Sequence, residues 1–217
     1  MSNTILTTDI LNIKKRLIKL SEQVVSQHKL AIEALLNKDD TLANKIIDLD
    51  RDIDNEHWEI KKEINFILTK EPLAKYLRRA ISYFIITKEL ERLGDYAKHI
   101  AKFTTRFCEP SESSIRRINE MYNFILTMMK SLVNLLDKED IQIIEKLSKD
   151  DDLVDSKTIE LNKELVVSFA KHNHNEKEIG ERVYLLNLVN SLERAGDHII
   201  NICEEVYYII TGNYTKL

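Results

Sequence analysis

The sequence predicts an all-α protein: two tandem antiparallel three-helix bundles, six long helices in all, related by a pseudo-twofold internal repeat. Three observations predict it. Four glycines and two prolines in 217 residues are too few for many strands and tight turns. Apolar residues recur with a period near 3.6 over long stretches, the mark of amphipathic helices. One phrase is said twice, once in each half: Leu90-Glu91-Arg92-Leu93-Gly94-Asp95-Tyr96-Ala97 and Leu192-Glu193-Arg194-Ala195-Gly196-Asp197-His198-Ile199.

The first helix is expected from about Thr8 to Asn37, capped by Thr8 or Asp9, with Ile10, Ile13, Leu17, Leu20 and Val24 as its stripe. Asp39-Asp40-Thr41 breaks it. A second helix follows to about Leu68 with Leu42, Ile46, Leu49, Ile53, Ile60, Ile64 and Ile67 on one face. Pro72, tolerated in a first turn, opens a third helix to about Phe107. Pro110 lies mid-chain in the polar stretch Glu109-Pro110-Ser111-Glu112-Ser113-Ser114, read as the junction between halves spanning 1–109 and 110–217. The second half repeats the pattern: a helix from about Ser114 to Leu136, a break at Asp137–Asp140, and a helix from Ile141 to about Lys171. The polar loop His172-Asn173-His174-Asn175 precedes a last helix from Glu176 to about Ile210, stopped by Gly212.

The second helices carry an echo of their own. Asp50-Arg51-Asp52-Ile53-Asp54 corresponds to Asp151-Asp152-Leu153-Val154-Asp155. Each half therefore holds two acidic pairs at i and i+4, neighbours on one helix face. They are Asp50 with Asp54 and Glu91 with Asp95, then Asp151 with Asp155 and Glu193 with Asp197. At 100° per residue, Glu91 and Asp95 leave the stripe of Tyr83, Ile86, Leu90, Leu93, Ala97 and Ile100 and join Phe84 and Lys88. Glu193 and Asp197 leave the stripe of Leu188, Leu192, Ala195, Ile199 and Ile202 in the same way. Gly94 and Gly196 fall between stripe and acids, although a glycine inside a helix costs about 1 kcal/mol relative to alanine. There they admit a second helix, or an ion with its waters, close to the backbone.

Four facing carboxylates suit a hard cation, Mg²⁺, Mn²⁺, Ca²⁺ or iron, better than a structural zinc site, which would bring cysteines or histidines. The competing reading satisfies the acids with arginine. Arg92 and Arg194 adjoin Glu91 and Glu193, but side chains at i and i+1 diverge, so these arginines point to another helix or a partner.

Other function classes are disfavoured. A net charge of −4 argues against bulk nucleic-acid binding. Cys108 and Cys203 form no CxxC or CxxH pattern and read as buried or half-buried thiols of a reducing compartment. The N-terminus lacks a basic region followed by an apolar run, and no apolar run approaches the ~18 residues of a membrane span. A cytoplasmic chain is expected, peripheral to the inner membrane only through partners. There is no Gly-rich phosphate loop, no HExxH and no Glu-x-x-His, so no enzyme is predicted. His57 beside Trp58 reads as a half-buried packing residue, His172 and His174 as solvated, and His99 and His198 as surface groups.

The doubled phrase, with the closing Glu204-Glu205-Val206-Tyr207-Tyr208-Ile209-Ile210-Thr211-Gly212, resembles the PhoU family of phosphate-signalling regulators over the whole chain. The resemblance implies a negative regulator of the phosphate-starvation response. It would couple a phosphate ABC transporter, through its ATPase subunit, to a phosphate sensor histidine kinase, and would form a homodimer. It also implies divalent metal (iron, manganese, magnesium or zinc) on the carboxylate pairs, here Asp50, Asp54, Glu91, Asp95, Asp151, Asp155, Glu193 and Asp197. One departure sets the first copy apart: Lys98 and His99 follow it where many relatives carry a less charged pair. The alternative is a metal-free helical adaptor with the same fold, recognising partner helices along its long faces.

Overall fold

A computed structural model describes residues 2–70, 72–106, 112–170 and 176–217, and side chains over 5–70, 72–105, 115–167 and 178–217. Its described elements are all helices: α1 (Ser2–Asn37), α2 (Asp40–Leu68), α3 (Ala74–Arg106), α4 (Glu112–Lys138), α5 (Ile141–Ala170) and α6 (Glu176–Thr211). The expected start of the first helix at Thr8 is corrected, because α1 reaches back to Ser2. Leu6 is buried and extends the apolar row of Ile10 and Ile13 by another turn. Asp9 is not a cap; its carboxylate accepts a hydrogen bond from Lys70 Nζ at 2.7 Å. Pro72 stands just before α3, and the Leu73 carbonyl accepts the first amide bonds, from Tyr76 and Leu77. Glu112-Ser113-Ser114 belongs to α4 rather than to a junction. Pro110, Cys108 and the loop carrying His172 and His174 lie outside the described residues.

The two short connections repeat each other in backbone detail. Lys38 and Glu139 both take left-handed φ values, 53° and 50°. The next residue is an aspartate in each case. Asp39 caps α2 by accepting the Leu42 amide at 2.9 Å, and Asp140 accepts the Gln142 amide at 2.9 Å.

Helices α1, α2 and α3 pack on one another, as do α4, α5 and α6; the two bundles meet where α1 lies along α4 and α3 along α6. Side chains from all six helices form one continuous apolar core. Leu17, Leu20, Ile60, Ile64, Ile86 and Leu90 are among its fully buried members, each stabilising the fold by about 1.5–3 kcal/mol through removal from water. Polar groups then fix the seam between bundles. His28 Nε2 donates to the Leu93 carbonyl at 2.7 Å, and its Nδ1 lies 2.6 Å from the Tyr122 hydroxyl. Arg79 grips both Glu139 carboxylate oxygens at 2.7 and 2.8 Å, and Lys14 adds a contact at 2.9 Å. On the other side Glu89 accepts from His198 Nδ1 at 2.6 Å and from Asn201 at 3.0 Å.

Candidate functional site

The acidic positions follow from helix register. The buried row of α2 is Ala43, Ile46, Asp50, Ile53, His57, Ile60, Ile64, Ile67, a regular alternation of steps of three and four. In α5 the matching row is Ile144, Leu147, Asp151, Val154, Thr158. Asp50 and Asp151 therefore sit at corresponding seam positions, facing α3 and α6, and one turn on Asp54 and Asp155 follow. This corrects one expectation. The α2 seam runs through Asp50 and His57 rather than Leu42 and Leu49, which are only partly buried. Asp50 is 2% exposed.

The glycines of the repeated phrase admit these helices. A Cβ on Gly94 would stand 3.2 Å from both Cδ1 and Cγ2 of Ile53. A Cβ on Gly196 would overlap the Asp151 Oδ1 atom and stand 3.7 Å from Cγ1 of Val154. In both halves the second helix comes against the third where no side chain intervenes, as the sequence leads one to expect.

In each half the carboxylates lie near enough for their charges to act on one another. In the first half, burial raises the Asp54 carboxyl above its ordinary value, and the charges of Asp50, Glu91 and Asp95 raise it further. Two lysines answer that charge. Lys98 Nζ donates to Asp50 Oδ2 and lies 3.5 Å from Asp95 Oδ1, and Lys88 Nζ donates to Glu91 Oε2 at 2.6 Å.

The second half has no lysine in these places, and the Arg194 charge offsets the push on Glu193 and Asp197 only in part. Burial first, then the charges of Asp155, Asp197, Asp152 and Glu193, push the Asp151 carboxyl up to about 7. Glu193 and Asp197 are raised too, by burial and then by their acidic neighbours. Asp151 Oδ1 is buried without a hydrogen-bond partner among the described residues, an orphaned acceptor of the kind that calls for a cation or a proton. Among the described residues no three carboxylate, imidazole or thiolate groups already converge into a ligand cage.

The histidines divide. His57 is a packing residue as expected but buried rather than half-buried, and its Nδ1 donates to the Thr87 carbonyl at 3.1 Å. His99 is exposed, as expected. The surface reading of His198 is corrected: it is half-buried between Glu89 and Tyr96, whose hydroxyl lies 3.3 Å from Nε2. Glu89 and the buried His28–Tyr122 pair were not singled out by sequence reasoning. A polar residue falling inside an otherwise apolar heptad row is the signal that finds His28. Arg92 and Arg194 are exposed, and the Arg194 charge partly offsets the upward push on Glu193 and Asp197. Cys203 is buried, as expected of a core thiol. Among the described residues no helix is long and apolar enough to cross a membrane.

Comparison with known proteins agrees with the internal repeat. The family description "PhoU domain" matches residues 17–104 and again 118–206. The chain is 30% identical over 216 residues to phosphate-specific transport system accessory protein PhoU homolog 1 of Thermotoga maritima, covering 98% of this chain and 89% of that protein. It is 29% identical to the corresponding PhoU homolog of Clostridium acetobutylicum, covering 100% and 99%. The crystal structure of PhoU from Pseudomonas aeruginosa superposes with a TM-score of 0.88 at 26% identity, covering 95% of this chain and 99% of that one. The phosphate transport system regulatory protein PhoU from Streptococcus pneumoniae shares the fold, with a TM-score of 0.89 at 24% identity over 98% and 100% of the two chains.

Proposed function

The chain belongs to the PhoU family, and from that premise we propose that it is an accessory regulator of a phosphate-specific transport system. In this reading it holds the phosphate-starvation response off by joining the transporter's ATPase subunit to a sensor histidine kinase. It acts as a homodimer, and its carboxylate pairs take divalent metal. The regulatory part is supported by relatives of nearly the same length that are accessory proteins of such systems. The metal part is carried by one observation: a buried Asp151 oxygen with no hydrogen-bond partner, set against Asp155, Glu193 and Asp197. These four hard oxygen donors fit Mn²⁺, Mg²⁺ or iron(II). A bound ion would neutralise the cluster and fasten α5 to α6.

A metal-free adaptor remains the second reading, favoured in the first half by Lys98 standing among the acids. The test is elemental analysis of protein purified without chelator, beside pull-downs on the transporter ATPase and the sensor kinase. Bound divalent metal, and starvation genes switched on by the paired change Glu193→Ala and Asp197→Ala, support the regulator with metal. Metal-free protein with intact signalling in that variant leaves the adaptor standing. Sedimentation of the purified chain reads the dimer.

A further inference from the structure

Helices α3 and α6 run antiparallel along the seam, with Glu89 against His198 and Phe103 against Tyr184. Setting Leu90 on Leu192, a shift of 102 residues, carries α3 onto α6, so the repeat makes two grooves from the same positions. The two have diverged in charge. One holds Glu89, Glu204 and Glu205, and Glu89 is closed off by His198 at 2.6 Å and Asn201 at 3.0 Å. In the other the matching positions are Ser191, Lys102 and Phe103, and His99 stands in the place of Asn201. That groove stays open as a cavity of about 350 Å³, lined by His99, Lys102, Phe103, Tyr184, Asn187, Leu188 and Ser191.

The cavity is graded along its length. One end is apolar: Phe103 is buried, its ring lies 5.3 Å from that of half-buried Tyr184, and Leu188 adjoins them. Towards the other end come Lys102 with Asn187, then His99 with Ser191. One turn beyond Ser191 stands exposed Arg194, and one turn beyond His99 stands Tyr96, the two rings 6.0 Å apart. Burial raises the Tyr96 phenol, and the charges of Arg194 and Arg92 pull it back, so both guanidiniums lie within electrostatic reach of it. Lys102, His99, Arg194 and Arg92 make no ion pair among the described residues, in a chain whose net charge is −4.

We propose that this cavity binds a nucleotide, its base against Tyr184 and Leu188 and its phosphates on Lys102, His99 and Arg194. Phosphate oxygens suit a lysine as a point charge and an arginine as a planar fork. A flat base stacks on an aromatic ring whatever its identity, and the cavity is of the size that small ligands occupy. Inorganic phosphate alone leaves the apolar end unused, and an apolar molecule leaves the cations unused. The inference goes beyond the regulatory reading, because a regulator so equipped answers to a nucleotide pool as well as to its protein partners.

Isothermal titration calorimetry of the full chain in chelator, with ATP, ADP, AMP and inorganic phosphate as probes, reads the site. ATP is expected to bind, AMP to bind more weakly because it lacks the phosphates that reach Arg194, and inorganic phosphate to bind most weakly. Lys102→Glu, which writes the residue of the other groove into this one, should weaken ATP by about tenfold or more, the loss of a charge-assisted contact. Arg194→Glu should do the same, while Glu204→Gln, in the other groove, should leave ATP binding unchanged. Tyr184→Ser should erase the preference for ATP over inorganic phosphate. Should that variant fail to fold, Asn187→Trp, at an exposed position on the cavity wall, should block ATP by filling the space. No nucleotide bound at millimolar concentration would overturn the inference. So would ATP affinity unchanged in both Lys102→Glu and Asn187→Trp, or inorganic phosphate binding as tightly as ATP. Pull-downs on the transporter ATPase and sensor kinase need no nucleotide site, so a failure here is distinct from a failure of the regulatory reading.

Discussion

Several single residues are held against their own preference. His28 is fully buried, and desolvation lowers its imidazole to about 4 against the 6.5 of a free side chain, a shift only partly opposed by its bond to the Leu93 carbonyl. Tyr122 is the titratable neighbour it faces. Between those values the unfolded chain carries the proton and the folded chain does not. Stability is therefore full above about pH 6.5 and falls as pH drops towards 4, by at most about 3 kcal/mol. Urea titrations across that range should show the loss, and His28→Gln should flatten it. Asp151 runs the other way. Its folded value lies above the unfolded 3.8, so the folded state holds the extra proton and stability declines as pH rises from about 3.8 to about 7. In chelator, Asp151→Asn should melt above the native chain at pH 8 and converge with it near pH 4. The two glycines should also part company. Gly94→Ala meets Ile53 at 3.2 Å; the clash and the gain in helix propensity offset each other to within about 1 kcal/mol. Gly196→Ala must turn the Asp151 carboxylate aside, so Mn²⁺ binding should fall further than thermal stability does.

Helix existence and type are legible in the sequence because each helix repeats its apolar stripe over many turns, and the last one even announces its stop at Gly212, where φ is 78°. Ends are less legible. The polar residues of Ser2–Leu6 and Glu112–Ser114 look like loop by composition, yet burial of Leu6 and packing of α4 carry the helices through them. The acidic pairs were legible as pairs, since i and i+4 spacing survives in one dimension. Their depth was not, because Leu42 and Leu49 fit a 3.6-residue stripe nearly as well as Asp50 does; only contact with α3 chooses the register. Lys98 was visible as an odd residue, but its reach to Asp50 is a tertiary fact. The connections carry a prediction at this scale. Lys38 holds a left-handed φ of 53° that suits glycine. Lys38→Gly is expected to raise stability by up to about 1 kcal/mol, and Asp39→Ala, which deletes the α2 cap, to lower it by about the same amount in chemical denaturation.

The molecule as a whole is two bundles with one interior. The core runs unbroken through all six helices, and the seam between halves is pinned by His28, Arg79 with Glu139, and Glu89 with His198. A calorimetric scan should therefore show one transition; two separated peaks would show the bundles melting independently. Glu89→Ala, which leaves His198 and Asn201 without their shared acceptor, should lower that single transition rather than split it. The seam where α1 meets α4 and α3 meets α6 has a further consequence. It matches one copy of a unit to another, as a symmetric pair of separate chains would, yet both copies share one polypeptide. Fusion makes their association unimolecular, so it cannot be undone by dilution. Within a protomer the pairing of the two halves does not depend on protein concentration, which leaves each copy free to diverge at one side chain without losing its mate.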